Sequence, residues 1–295
     1  MNEDDVARLQ LLAAIEGGSV FWCNEVREWG APTVVGHFLS GFYQGEKNAA
    51  SAIALRIREN PADKLIEEIE TSGSFIITPN HEDWPLQVDD LQAPPFALVG
   101  KGDRSLLTRD SLAIVGSRNP TSYGVRMANE FAAGFADRDF VVVSGGAYGI
   151  DTAAHRGSLA AEGPTIAVLG GGVVDGYPSG NEKLFREIEE SGLLIAEVMP
   201  RVHAVPHRFL IRNRLIAALS KGTLVVEAAY RSGSLRTARD ASDLMRTVMA
   251  IPGSITSPAS EGCHRLIAQR EAELVSSVGD VMELVLPLLD ARIEV

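Results

Sequence analysis

One pattern repeated along this chain limits its fold more than any other feature: an apolar run, then glycine or serine, then a helix-like segment. It stands at Leu112-Ala-Ile-Val-Gly-Ser-Arg118 and at Val141-Val-Val-Ser-Gly-Gly-Ala-Tyr-Gly-Ile-Asp-Thr-Ala-Ala-His155. It recurs at Ile166-Ala-Val-Leu-Gly-Gly-Gly172, and at Leu224-Val-Val-Glu-Ala228 running on to Ser232-Gly-Ser-Leu235. A strand that ends in Gly or Ser and opens a helix turns backbone N–H groups toward whatever lies beyond the sheet, so each loop reads as an anion site.

Strands are expected at 111–115, 140–144, 165–169, 193–196, 223–226 and 247–251. Helices are expected between them at about 123–137, 150–161, 181–191, 208–220 and 234–245, with a last one near 280–290. The strands are unbroken apolar runs rich in Val and Ile, as strands covered on both faces must be. Such alternation predicts an α/β fold with a doubly wound, mostly parallel sheet and right-handed crossovers. Ligands of such sheets bind beyond the strand C-termini, the edge on which all of these loops fall.

Ahead of the sheet, residues 1–70 read as a small helical domain, SAM-like or helix-hairpin-helix-like, punctuated by Gly17-Gly18 and Gly30-Ala-Pro32. A connector follows over 71–110, with strands at Phe75-Ile-Ile-Thr78 and Phe96-Ala-Leu-Val99 and a turn at Gly100-Lys-Gly102. The domains are therefore 1–70 and 71–290.

The net charge of −12 argues against a nucleic-acid binder until its distribution is considered. Residues 1–100 hold 16 acids against 6 bases, whereas 201–239 hold eight bases and one acid, Glu227. Screening confines each patch to roughly 8–10 Å, so a basic face can bind a polyanion on an acidic protein. The other reading is that these arginines are solvated helix faces. A module as acidic as 1–70 suits a protein contact better than a phosphate contact. Cys23 and Cys263 lack metal-site spacing, so no zinc site or disulfide framework follows. The acidic N-terminus does not resemble a signal peptide, and no apolar run reaches the roughly 18–20 residues of a membrane span. A cytoplasmic protein without a membrane association is expected.

Among the loops, Ser144-Gly145-Gly146-Ala147-Tyr148-Gly149 is the strongest anion cradle, yet it matches neither GxGxxG nor GxxxxGK[ST]. His155 falls on the same helix face as Asp151, either as an acid–base pair or as a buried His beside a capping Asp. Gly116, Ser117 and Arg118 place a guanidinium, which matches phosphate oxygens in pairs, at a strand exit. Tyr123, and Phe185 beside Lys183, are either base-stacking groups or core. Ser232, Gly233 and Ser234 open a helix flanked by Arg236 and Arg239. In Phe209-Leu-Ile-Arg-Asn-Arg-Leu-Ile216, Arg212, Asn213 and Arg214 interrupt an apolar run. They either pair with an internal acid such as Glu227 or Asp151, or face the ligand edge.

Seven motifs occur in one order: Ile114-Val-Gly-Ser-Arg118, the 144–155 segment, Ala167-Val-Leu-Gly-x-Gly, Tyr177-Pro…Asn181, Arg212-Asn-Arg-Leu-Ile-Ala217, Glu227-Ala…Ser232-Gly-Ser-Leu-x-Thr-Ala238 and Ile251-Pro-Gly-Ser254. Together they resemble the DNA-processing protein A (DprA/Smf) family over about 75–280. The resemblance implies an extended Rossmann-like domain that binds single-stranded DNA without catalysis, metal or cofactor. It also implies protection of incoming strands in natural transformation, loading of a RecA-type recombinase, and a homodimer. Carried over by position, Arg118, the 144–149 loop, Lys183, Arg212 and Ser232–Ser234 would line the DNA groove, with Arg214 and Arg236 added to the candidate set. Tyr148 stands where the family usually has Arg, and Arg236 where an apolar residue or His is common. The winged-helix domain that many members carry at the C-terminus is not expected here. The competing reading is a nucleotide sensor or nucleoside-monophosphate hydrolase. That class uses a catalytic Glu in a PGG-x-GT loop, and Ser232-Gly-Ser-Leu235 has none.

Overall fold

The computed structural model describes residues 1–43 and 49–286. Helices α1 (Glu3–Ala14), α2 (Val20–Trp29), α3 (Ala31–Ser40), α4 (Ala49–Glu59) and α5 (Ala62–Thr71) come first. A capping box starts α1: Asn2 Oδ1 accepts from the Asp5 amide at 2.9 Å, and Asp5 accepts from the Asn2 amide at 3.1 Å. Two antiparallel strands follow, β1 (Phe75–Ile77) and β2 (Leu98–Gly102). The alternating part is β3 (Ser111–Val115), α6 (Ser122–Ala136), β4 (Val141–Ser144), α7 (Ile150–Ala160), β5 (Thr165–Leu169), α8 (Glu182–Ser191), β6 (Leu193–Ala196), α9 (Pro206–Leu219), β7 (Gly222–Val225), α10 (Ser234–Asp243), β8 (Thr247–Ala250), α11 (Glu261–Ala268), β9 (Glu273–Leu274) and α12 (Val278–Val285).

The strands form one sheet in the order β1-β2-β6-β5-β4-β3-β7-β8-β9, parallel from β6 to β9 and antiparallel at β1 and β2. This is the mostly parallel, doubly wound α/β sheet that the apolar runs predict. From β3 the chain winds outward through β4, β5 and β6. It then crosses back to lay β7 on the other side of β3. The switch in winding direction therefore lies between β3 and β7.

Alternate residues of each strand feed opposite faces. Ala113, Val115, Val143, Val168 and Ile195 pack with Leu215, Ile216, Leu219 and Ala238 of α9 and α10. On the other face, Leu112, Ile114, Val142 and Leu224 pack with Phe131 and Phe135 of α6 and Val281 of α12. The N-terminal helices have an interior of their own around Trp22, Val34, Phe38 and Ile53. Leu9, Leu12, Leu65 and Ile69 of α1 and α5 also pack against Ala167, Leu169 and Val99 of the sheet.

One expectation needs correction, and two elements differ in extent or number from those expected. Gly100-Lys-Gly102 is the second half of β2 rather than a turn, pairing with Leu193–Ile195 of β6. Gly100 is required there, because a Cβ would come within 2.6 Å of the Phe75 ring. The short elements α11 and β9 were not anticipated; β9 has two exposed residues and so no apolar signature. The last helix runs over Val278–Val285, and the end of the 280–290 segment lies outside the described residues.

Candidate nucleic-acid interface

At the winding switch, the loops leaving β3 and β7 diverge and open a cleft of about 590 Å³. Val115–Asn119 forms one wall, Ala229 and Arg231–Ser234 the other, and Phe209, Arg212, Asn213 and Ile216 of α9 the floor. Local sequence explains the close approach of the walls. The Ser117 amide donates to the Glu227 carbonyl at 2.7 Å. A side chain at Gly116 would meet the Glu227 carbonyl oxygen at 2.8 Å and Ile150 at 2.7 Å. On the facing loop, Ser232 Oγ and Ser234 Oγ lie 2.7 Å apart, and a Cβ at Gly233 would meet nothing within 4 Å. The first amides of α10 are taken up within the loop: the Ser234 amide donates to Ser232 Oγ at 3.4 Å, and the Leu235 and Arg236 amides donate to the Ser232 and Gly233 carbonyls at 3.2 Å and 3.1 Å.

Two cations in this cleft remain uncommitted. Arg118 is exposed, with its guanidinium 5.3 Å from the centroid of the Phe209 ring. Arg231 is exposed on the opposite wall. Neither forms an ion pair with a described residue, in contrast to three neighbouring arginines. Arg208 binds Glu16, Arg214 binds Glu197 and Arg236 binds Asp240.

The Ser144–Gly149 loop, the strongest cradle by sequence, is occupied from within. Ser144 is fully buried and donates to the Ile114 carbonyl at 2.6 Å. The Ala147 amide donates to Asp151 at 3.3 Å, so the anion this loop holds is the chain's own carboxylate. Arg212, 6% exposed, donates through Nη1 to the Gly145 carbonyl at 2.6 Å and to the Val168 carbonyl. The glycines are needed for these internal approaches. A Cβ at Gly145 would lie 2.3 Å from Arg212 Nη1 and one at Gly146 2.7 Å from Phe185. At Gly149, with φ of +84°, a Cβ would lie 2.3 Å from the Ser117 carbonyl oxygen. Burial pushes the Asp151 carboxyl up, and Arg212 chiefly opposes that shift. Burial likewise lowers Arg212, to about 10, which leaves it charged at neutral pH.

His155 is fully buried. Its Nδ1 lies 2.8 Å from Thr165 Oγ1, whose own hydrogen goes to the Val142 carbonyl at 2.6 Å, so Nδ1 is the donor. Burial, with a smaller effect from Arg212, holds the imidazole down at about 3. Of the two readings left open for His155 and Asp151, the geometry matches the buried His beside a spent Asp. Glu227 likewise does not pair with an arginine. It holds Thr121, the N-cap of α6, accepting from the Thr121 amide at 2.8 Å and from Thr121 Oγ1 at 2.5 Å.

Of the residues singled out by sequence, Gly116, Ser117, Arg118, Arg212, Ser232, Gly233 and Ser234 come together in the cleft. Arg214 does not. Two positions along a helix from Arg212, it points away and binds both oxygens of Glu197 at 2.7 Å. Arg236 is engaged with Asp240 at 2.7 Å. Lys183 is 92% exposed on α8, outside the cleft lining and 3.6 Å from Glu187. Tyr148 is half-exposed at the loop tip. Phe185 is core, and the Tyr123 ring lies outside the cleft, packed against the core with the Arg126 guanidinium 5.8 Å from its centroid and its hydroxyl on the Pro252 carbonyl at 2.8 Å. Asn213 of the Arg-Asn-Arg run and Asp151 line the cleft as well, and Asn119, Phe209, Arg231 and Thr237 join without having been proposed. The available signals were Phe209 heading the Arg-Asn-Arg run and Arg231 preceding Ser232.

An open, doubly wound, mostly parallel sheet with helices on both faces defines a Rossmann-like α/β protein. The chain belongs to the DNA recombination-mediator protein A family, whose profile matches residues 75–286. It is 40% identical to the DNA processing protein DprA of Streptococcus pneumoniae over 218 residues, covering 74% of this chain and 76% of that protein. A Mycobacterium tuberculosis relative is 42% identical over 254 residues, covering 82% of this chain. The match spans 65% of that relative's length. The X-ray structure of Streptococcus pneumoniae DprA superposes with a TM-score of 0.82 at 31% identity, over 96% of this chain and 98% of that one. The structure of DNA processing protein A from Helicobacter pylori, which concerns the single-stranded DNA binding mode of that protein, matches with a TM-score of 0.66 at 29% identity. That match covers 73% of this chain and 98% of the Helicobacter chain. No helix among the described residues is long and apolar enough to cross a membrane.

Proposed function

We propose that this chain binds single-stranded DNA without transforming it, laying the phosphate backbone along the cleft between β3 and β7. The observation that carries this reading is Arg118, a guanidinium free of any described carboxylate and set over an aromatic ring at the winding switch. Arg118 and Arg231 would contact phosphates, while Phe209 beside Arg118 offers a face to a base. Ser117, Ser232 and Ser234 would add hydroxyl contacts, and Arg212 would hold the loops rather than the strand. A non-catalytic role is supported by the fate of the acid–base candidates. His155 is sealed and neutral, Asp151 is pinned by the loop amide, and Glu227 is tied to Thr121, the N-cap of α6. The same facts weigh against a nucleoside-monophosphate hydrolase.

In this reading 71–290 is the DNA-binding domain and 1–70 a helical module that docks a basic protein surface. Kinship with the DprA proteins supports a cytoplasmic role in transformation and recombination, with a homodimer handing strands to a RecA-type recombinase. Competition between oligo-dT and a duplex of equal length tests the first claim: the single strand should bind more tightly, and equal affinity would overturn it. Incubation with nucleoside monophosphates should release no free base. Deleting 1–70 should impair recombinase loading while leaving oligo-dT bound; unimpaired loading would remove the docking role.

A further inference from the structure

Next to the cleft, an aromatic ridge continues past Phe209 on residues that do not line it. Tyr177 is 54% exposed, and its ring lies 5.5 Å from that of Phe209 with planes inclined by 47°. Three residues on, Gly180 supports Tyr148, which is 48% exposed; a Cβ at Gly180 would come within 2.5 Å of the Tyr148 hydroxyl oxygen. The ridge therefore runs from the Arg118–Phe209 pair through Tyr177 to Tyr148.

Its foundation is fixed. Asn181 ties the 177–181 turn to the 144–149 loop, donating to the Gly146 carbonyl at 3.0 Å and to Thr152 Oγ1 at 2.8 Å. Phe185 fills the space beneath, against Gly146 and Gly176, where a Cβ would meet its ring at 2.7 Å and 2.6 Å respectively. Two tyrosines so mounted show their rings to solvent without the flexibility of a free loop. An exposed ring on a rigid base stacks with any unpaired base, because every base has a π-face. Phe209, Tyr177 and Tyr148 are themselves uncharged, so their rings supply stacking without phosphate neutralisation.

We infer that Tyr177 and Tyr148 form a second, base-stacking subsite that takes up the nucleobases of the strand as it leaves the cleft. This rests on the reading of the cleft as a single-strand site.

The test compares oligo-dT of about 6 nucleotides, enough for the cleft, with one of about 18, enough for cleft and ridge. A third strand of the longer length carries abasic sugars outside its central nucleotides. The wild type should bind the long strand more tightly than the short one, and the abasic tails should abolish that gain. Tyr148→Ala and Tyr177→Ala should each weaken the long strand roughly tenfold, the size of one lost stack, and leave the short one unchanged. Their salt slopes should equal the wild type's, since a stack releases no counterion. Tyr148→Phe should bind as the wild type does. Unchanged affinity of the alanine variants for the long strand, or equal gain from abasic tails, overturns the ridge while the cleft stands. A wild type that binds no single strand overturns both.

Discussion

Replacing Arg212 by methionine removes a buried cation that does two jobs inside the fold. Its Nη1 satisfies the carbonyls of Gly145 and Val168, and its charge offsets the buried carboxyl of Asp151. Removing a charged donor leaves the two buried carbonyls unmet, at about 1.5–3 kcal/mol each, and leaves Asp151 without its offset. Domains have total stabilities of only about 5–15 kcal/mol, so the loss is severe. With roughly 2–4 °C lost per kcal/mol in a chain of this size, Tm should fall by roughly 10 °C. Asp151→Asn in the same chain removes the orphaned charge. The double variant should therefore be more stable than the sum of the single losses requires, a coupling read by urea unfolding of all four proteins. Oligo-dT binding by whatever Arg212→Met protein remains folded should keep the wild-type salt slope. A fully stable Arg212→Met with a shallower slope would refute the reasoning, since it would make Arg212 a phosphate ligand instead of a strut.

Other outcomes follow from the same geometry. His155 titrates at about 3 in the fold against 6.5 for the free group, so the unfolded chain binds the extra proton between those values. Its contribution is complete above pH 6.5 and is lost as pH falls toward 3, by up to about 1.4 kcal/mol per unit. Tm measured at pH 7 and pH 5 should drop for the wild type and drop less for His155→Gln; equal drops would remove His155 as a cause. Gly149→Ala places a methyl group at φ of +84° against the Ser117 carbonyl and should lower stability by more than about 1 kcal/mol. In urea unfolding, a neutral Gly149→Ala would show that the loop can relax. Gly233→Ala, with open space around it, should leave stability within about 0.5 kcal/mol of the wild type.

Much of this architecture is legible from periodicity. Buried parallel strands announce themselves as Val-rich runs, and their exits as glycines and serines. Strand β2 is not legible past Val99, because Gly100-Lys-Gly102 has the composition of a turn. Only the Phe75 ring lying over Gly100 and the pairing with β6 explain it. The candidate site was legible by loop but not by side chain. Arg212 and Arg214 look equivalent in a list of bases. Yet residues two apart on a helix point in nearly opposite directions, and the two arginines bind different partners. The Ser144–Gly149 loop shows the harder limit. Its glycines are the same whether a phosphate or the chain's own Asp151 fills the cradle, and only the fold decides between them.

The most direct measurement is the salt dependence of oligo-dT affinity for the wild type beside Arg118→Ala. Two uncommitted guanidinium groups in the cleft predict a slope of log K against log salt of about −1.4 or steeper, at about −0.7 per phosphate contact. Arg118→Ala should make that slope shallower by about 0.7 and weaken binding uniformly across sequences. A flat dependence for the wild type, or an Arg118→Ala slope identical to it, would contradict a phosphate site at the winding switch.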